Sequence, residues 1–303
     1  MRYPFWTADV FTSRAFAGNP LAVVADATGL STQQMQAVAH EFNLSETTFV
    51  LPPEDKEHTF RLRIFTPAEE LPFAGHPTVG SAFVLAHAGR IKLSGERTSI
   101  VFGENVGPIR VDIRAHNGKP VSSQLWVAQL PEFGPPAPAT EEIAVALGLD
   151  PDDVLEDERD RPATVSCGTP YLCVPLRSLD ALRRARISWE WWNRTMSTHW
   201  TRAVFLFSHE TESKDATVQA RMFAPVFGIE EDPATGSAAA AFAGYLARRE
   251  KLTAGSALWV IDQGIEMGRP SRMEVEADAA HGALTAVRVA GPSVVMSEGH
   301  LDL

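Results

Sequence analysis

Two short segments of the chain combine groups that could handle a proton and an anion together. Gly75-His76-Pro77-Thr78 and Asp232-Pro233-Ala234-Thr235-Gly236-Ser237 each lead from an apolar strand pattern into a helix of small, apolar residues. The first turn of a helix presents free N–H groups and about half a positive charge. Two such ends could hold a carboxylate between them. Gly75 and Gly236 would let a ligand approach the backbone closely. His76 titrates near neutrality, which suits proton donation or acceptance. The competing reading is ordinary capping, with Asp232 as an N-cap and His76 as a cap or a satisfied core histidine. Glu46 lies between a helix end and an apolar strand. Desolvation there would raise its proton affinity, as a general base requires; a solvated or capping glutamate is the alternative. Gly18-Asn19-Pro20 is a turn signal that could also aim the Asn19 amide at a ligand.

The elements that must position these groups form a repeated pattern. Residues 63–82, RIFTPAEELPFAGHPTVGSA, and residues 221–238, RMFAPVFGIEEDPATGSA, share Arg, Phe, Pro, Pro, Gly, Ser and Ala in order. Gly18-Asn19-Pro20 before LAVV has a counterpart in Gly168-Thr169-Pro170 before YLCVPL. Both halves keep one order: G-x-P strand, helix, apolar strand, R-x-F-x-P strand, small-residue helix. This is a duplicated α+β unit, with the site expected in the cleft between the copies. Helices are predicted over 31–42, opened by a capping box, over 77–88 and 141–147, and over 233–247, which is apolar or small all round and therefore buried. Strands are predicted at 47–51, 60–65, 100–102, 109–114, 124–130, 171–176, 203–207, 218–223, 258–261, 273–277, 287–289 and 294–296. The domain boundary is placed at 118/119.

Composition excludes several classes. The 303 residues carry a net charge of −11, which argues against a nucleic-acid or anionic-membrane partner. Cys167 and Cys173 are too few for a disulfide framework or a zinc ribbon. The histidines show no metal-ligand spacing, and no Walker A or G-x-G-x-x-G motif occurs, so neither metal nor nucleotide cofactor is expected. No signal peptide is evident, and no uncharged stretch reaches the ~20 residues of a membrane helix. A cytoplasmic protein is the expectation. Trp189, Trp191 and Trp192 in SWEWWNRT read as core packing or an interface.

DVFTSRAFAGNPLAVV (9–24), FNLSETTFV (42–50), RIFTPAEELPFAGHPTVGSA and MFAPVFGIEEDPATGSAAAAFAGYL (222–246) resemble the PhzF family of phenazine-biosynthesis isomerases. The resemblance spans nearly the whole chain in order. It implies the diaminopimelate epimerase-like fold: two pseudo-symmetric domains, 1–118 and 119–289, each a curved sheet around a central helix, with 290–303 returning to the first. It also implies a homodimer and cofactor-free proton transfer on a small anionic carboxylate, similar to isomerisation of 2,3-dihydro-3-hydroxyanthranilate. By the resemblance Glu46 is the proton-transferring carboxylate. His76 and Asp232 polarise substrate or relay protons, and Ser237 anchors it. Gly75, Gly236, Asn19 and Thr235 complete the binding set.

The epimerase branch needs two opposed thiols, and those slots appear here as Gly75 and Asp232. A two-base epimerase or racemase is thus the weaker alternative. A non-catalytic ligand-binding protein that keeps the fold is a third.

Overall fold

A computed structural model describes residues 1–303 except 197, 202 and 226–228, and except the side chains of 193 and 195. Val226-Phe227-Gly228 of the second repeated block therefore lies outside the described residues. The chain divides into two compact units, Met1–Ala128 with Arg288–Leu303, and Gln129–Val287.

The first unit runs β1 (Arg2–Val10), β2 (Asn19–Val24), α1 (Thr32–Phe42), β3 (Glu46–Leu51), β4 (Phe60–Phe65), β5 (Glu70–Leu71), α2 (Gly75–His87), β6 (Arg97–Glu104), β7 (Gly107–His116) and β8 (Lys119–Trp126). β1 and β2 are antiparallel, β2 and β3 parallel, β3 and β4 antiparallel, β4 and β6 parallel, and β6, β7 and β8 antiparallel. α2 packs on β1, β2, β3, β7 and β8, so the sheet wraps it. It is buried from Gly75 to Ala86 because its residues are small or apolar on every face. Gly80 permits the closest approach: a Cβ there would lie 2.5 Å from Val10 Cγ2 and 2.6 Å from Leu21 Cδ2.

The second unit runs β9 (Glu132–Phe133), α3 (Thr140–Leu147), β10 (Ala163–Ser166), β11 (Pro170–Leu176), α4 (Leu179–Arg184), α5 (Trp189–Trp191), β12 (Val204–Ser208), β13 (Val218–Ala224), β14 (Ile229–Asp232), α6 (Gly236–Arg249), β15 (Gly255–Gln263), β16 (Ser271–Ala280) and most of β17 (Ala283–Gly291). Its pairing repeats that of the first unit: β10–β11 antiparallel, β11–β12 parallel, β12–β13 antiparallel, β13–β15 parallel, β15–β16 antiparallel. The short β5 and β14 occupy the same place, each antiparallel to the strand carrying R-x-F. α6 takes the role of α2. Trp191 and Trp192 are buried with Leu147, Leu172 and Val174, while Trp189 is exposed.

The unit boundary falls at 128/129 rather than 118/119. β8 lies along β7, and it also pairs with the end of β17 (Arg288↔Trp126 to Gly291↔Ser123), so it is internal to the first sheet. The last strand, β18 (Ser293–Asp302), returns to the first unit and pairs antiparallel with all of β1, from Arg2↔Asp302 to Val10↔Ser293. Among the described residues no helix is long and apolar enough to cross a membrane.

Candidate functional site

In the first unit, three elements bring the expected residues to one place. Gly18 turns the chain into β2 at φ +68°, where a Cβ would sit against Val10 O, so only glycine fits. This sets Asn19 opposite Val10 and fully buries it. Helix α1 starts with a capping box, Ser31 N donating to Gln34 Oε1 at 3.0 Å and Gln34 N to Ser31 Oγ at 3.3 Å. It ends at Asn43 in the left-handed conformation, and the turn there delivers Glu46 to the first position of β3, opposite Leu21. Helix α2 starts at Gly75, two residues before Pro77, with no side-chain cap from Ala74.

His76, on the first turn of α2, is 4% exposed and Glu46 is 8% exposed. His76 Nε2 lies 3.4 Å from Glu46 Oε2, at the outer limit of hydrogen bonding. Burial drives the imidazole's pKa down to about 3, although a hydrogen bond to the backbone of Pro20 opposes this. Since Nε2 makes no hydrogen bond, it is Nδ1 that donates to Pro20. A neutral imidazole in that tautomer shows Glu46 a lone pair. The arrangement therefore suits a carboxylate that takes up a proton, because the protonated acid can then donate to Nε2. One turn further on, Ser81 Oγ and Thr48 Oγ1 are 2.8 Å apart.

The second unit assembles the equivalent place differently. The helix expected from Pro233 begins only at Gly236, with Thr235 as N-cap. Asp232 is thus not the cap; it closes β14 and accepts a hydrogen bond from Thr235 Oγ1 at 2.5 Å. Gln263, wholly buried at the end of β15, clamps this loop. Its Nε2 donates to Asp232 O at 2.7 Å and Thr235 Oγ1 at 3.1 Å, and its Oε1 accepts from Thr235 N at 3.3 Å. Gly264 follows at φ +76°, where a Cβ would lie 2.6 Å from Pro233 O. Ser237 Oγ is 2.7 Å from the Tyr171 hydroxyl, on β11.

The structure therefore brings Asn19, Glu46, Gly75 and His76 together in the first unit, and Asp232, Thr235, Gly236 and Ser237 in the second. The pseudo-symmetry is broken at Glu46. Leu21 faces Glu46 across β2 and β3. Its counterpart Tyr171, by the register Leu172↔Val204 continued one residue, faces Ala203. Only the first copy carries a carboxylate at that position.

Sequence reasoning singled out neither Gln263 nor Tyr171. The repeated Arg and Phe have no role evident from the sequence alone. Arg63 makes a bidentate pair with Glu70, at 2.8 and 2.6 Å. Arg221 does the same with Glu231, at 2.8 and 2.8 Å. Each guanidinium also lies over the repeated ring, Phe65 at 5.1 Å and Phe223 at 4.7 Å. These pairs tie the short strand before each helix to the R-x-F strand; the repeat itself was the available signal.

No group of three or more metal-ligating side chains occurs among the described residues. Neither cysteine is on the first turn of α2 or α6. Cys167 donates to Gln129 O at 2.8 Å, and burial pushes its thiol up to about 12. Cys173, fully buried in β11, is also raised by burial.

Comparison with known proteins agrees with this fold. The profile of the PhzC-PhzF family, phenazine biosynthesis-like proteins, matches residues 8–299. An uncharacterised isomerase of Mesorhizobium japonicum is 44% identical over 299 residues, covering 97% of this chain and 96% of the relative. Trans-2,3-dihydro-3-hydroxyanthranilate isomerase of Pseudomonas aeruginosa is 35% identical over 298 residues, covering 97% and 98%. The crystal structure of a PhzF-family phenazine biosynthesis protein of Bacillus anthracis superimposes with a TM-score of 0.89 at 25% identity, covering 100% of both chains. With its duplicated α+β fold and these relatives, this chain belongs to the PhzC-PhzF, phenazine biosynthesis-like family and is an isomerase.

Proposed function

We propose that the chain isomerises a small cyclic carboxylic acid by moving one proton between two carbons, without a cofactor, with a substrate of the 2,3-dihydro-3-hydroxyanthranilate class. The observation that carries this reading is the buried Glu46–His76 pair, in which a neutral imidazole faces a carboxylate across 3.4 Å. Glu46 takes a proton from a ring carbon next to a π system, and the electron pair left behind delocalises into that system. Protonated Glu46 donates to His76 Nε2 while the anion rearranges, then returns the proton to a second ring carbon. Atoms and charge balance without an external acid. The helix starts at Gly75-His76 and Gly236-Ser237 have no side-chain caps, so their N–H groups are available to a substrate carboxylate and to developing negative charge. Asn19, Asp232, Thr235 and Ser237 orient polar groups of the substrate in this reading, and the active species is a homodimer in the cytoplasm.

The test is incubation with 2,3-dihydro-3-hydroxyanthranilate in D₂O, following absorbance and the deuterium content of the product. The wild type is expected to turn over, and Glu46→Gln to bind without turnover. Turnover in Glu46→Gln would overturn the role of Glu46. Silence of both proteins would leave family and fold standing but remove this substrate class.

A further inference from the structure

Besides Glu46 the first unit buries the carboxyl groups of Asp9, Glu104 and Asp112, and the mechanism does not use that of Glu104. Glu104, the last residue of β6, is 6% exposed. Its Oε1 lies 2.7 Å from Thr78 Oγ1. Its Oε2 is buried without any hydrogen-bond partner. Thr78 Oγ1 is also 2.7 Å from Ala74 O, the N-cap carbonyl of α2. The backbone bond to that carbonyl, from Thr78 N, is long at 3.4 Å. The threonine hydroxyl therefore provides the stronger of these two closures of the first turn of α2.

A hydroxyl has one hydrogen, and a carbonyl can only accept. If the hydrogen goes to Ala74 O, the second 2.7 Å contact needs its proton from Glu104. We propose that Glu104 is a protonated carboxylic acid that positions the start of α2, and with it His76, by donating to Thr78 Oγ1. Ionisation would reverse the polarity of the chain. A carboxylate is the stronger acceptor, so it would draw the Thr78 hydrogen away from Ala74 O and leave the helix start held by the long backbone bond alone. His76 is two residues upstream of Thr78, inside that turn.

The surroundings agree with a neutral acid. Burial raises the pKa of Glu104 to about 8, against the opposing effects of its hydrogen bond with Thr78 and the charge of Arg61. Arg61, on β4, faces the group, but its guanidinium is engaged with Leu62 O, Gly103 O and Asn105 Oδ1, and its Nε with Glu54. Asn105 in turn donates to Glu70. The ring of His58 lies against Gly103. The group thus titrates above neutrality.

The inference concerns the His76 half-site as a structure and does not depend on the substrate. The experiment follows the His76 ring resonance by NMR between pH 6.5 and 9.5 in wild type, Glu104→Gln and Thr78→Val. In wild type the resonance is expected to move with a midpoint near 8. Glutamine can donate to Thr78 Oγ1 but cannot ionise, so the movement is expected to vanish in Glu104→Gln. In Thr78→Val the link is cut while Glu104 still titrates, so movement at His76 is expected to shrink severalfold. A static His76 resonance in wild type, or the same movement in either variant, would overturn the proposal. If the activity proposed above is found, its alkaline limb should shift upward in Glu104→Gln. Failure of that activity leaves the resonance test intact.

Discussion

Replacing Gln263 by leucine removes a buried clamp while keeping similar volume. The side chain makes three hydrogen bonds, to Asp232 O, Thr235 Oγ1 and Thr235 N. At ~1 kcal/mol each, their loss costs about 3 kcal/mol. Asp232 and Thr235 are 6% and 8% exposed, so water can replace the lost partners only if the loop opens. For a protein of this size, with an unfolding entropy of ~2.1 cal/mol/K per residue, the loss corresponds to a fall in Tm of roughly 5 °C. The catalytic effect should exceed the structural one, because the clamp holds Asp232 and the start of α6 in register. A displacement of ~1 Å at such a site costs on the order of 100-fold in rate. Thermal unfolding and turnover of the proposed substrate class, measured on one preparation at a temperature where the variant is folded, separate the two effects. A fall in Tm below about 2 °C would refute the hydrogen-bond accounting. The full fall in Tm with unchanged turnover would show that the loop from Asp232 to Thr235 has no part in the chemistry.

Two further outcomes follow from the first half-site. Glu46→Asp keeps the carboxylate but withdraws it by one methylene from its 3.4 Å contact with His76; turnover should fall on the order of 100-fold with folding preserved, and a loss under fivefold would show that placement at this position is not critical. His76 is held neutral in the fold, its pKa lowered from 6.5 to about 3 by burial. The unfolded chain therefore binds a proton that the folded chain refuses between those values. Its contribution to stability is present above pH 6.5 and is lost as pH falls toward 3, by up to ~1.4 kcal/mol per pH unit. Tm against pH from 7 to 4 should be flatter in His76→Gln than in wild type, and parallel curves would contradict the burial argument.

The duplication, the order of elements, and the placing of Glu46 at the head of β3 and of His76 and Ser237 at helix starts were legible in the sequence. Periodicity, capping patterns and family motifs are local signals, and these features are local. What escaped is long-range. β1 was not expected as a strand, because RYPFWTADV mixes aromatic and polar residues around Pro4. The structure accommodates Pro4 as an acceptor, its carbonyl receiving Ala25 N at 3.0 Å. The helix start at Pro233 was misplaced because Asp232 and Gln263 hold residues 233–235 as a loop, and Gln263 is 28 residues from Thr235. Tyr171 reaches Ser237 across 66 residues. Glu104 escaped for the same reason, since its partner Thr78 is 26 residues away.

The pairing of β1 with β18 joins residues nearly three hundred positions apart, and this has a consequence for how the molecule is made. During synthesis residues 1–128 leave the ribosome first, yet one side of β1 has no strand to pair with until residues 293–302 follow. A nascent chain thus carries an open sheet edge for most of its translation, the kind of surface that recruits other strands. The second unit, whose residues 129–287 are contiguous, can complete its own pairing sooner. The half made first is therefore the half finished last, and the late step is a single β-addition of high sequence separation, which is slow by its loop-closure entropy. Chains truncated before β18 should accumulate as aggregates rather than as soluble half-proteins.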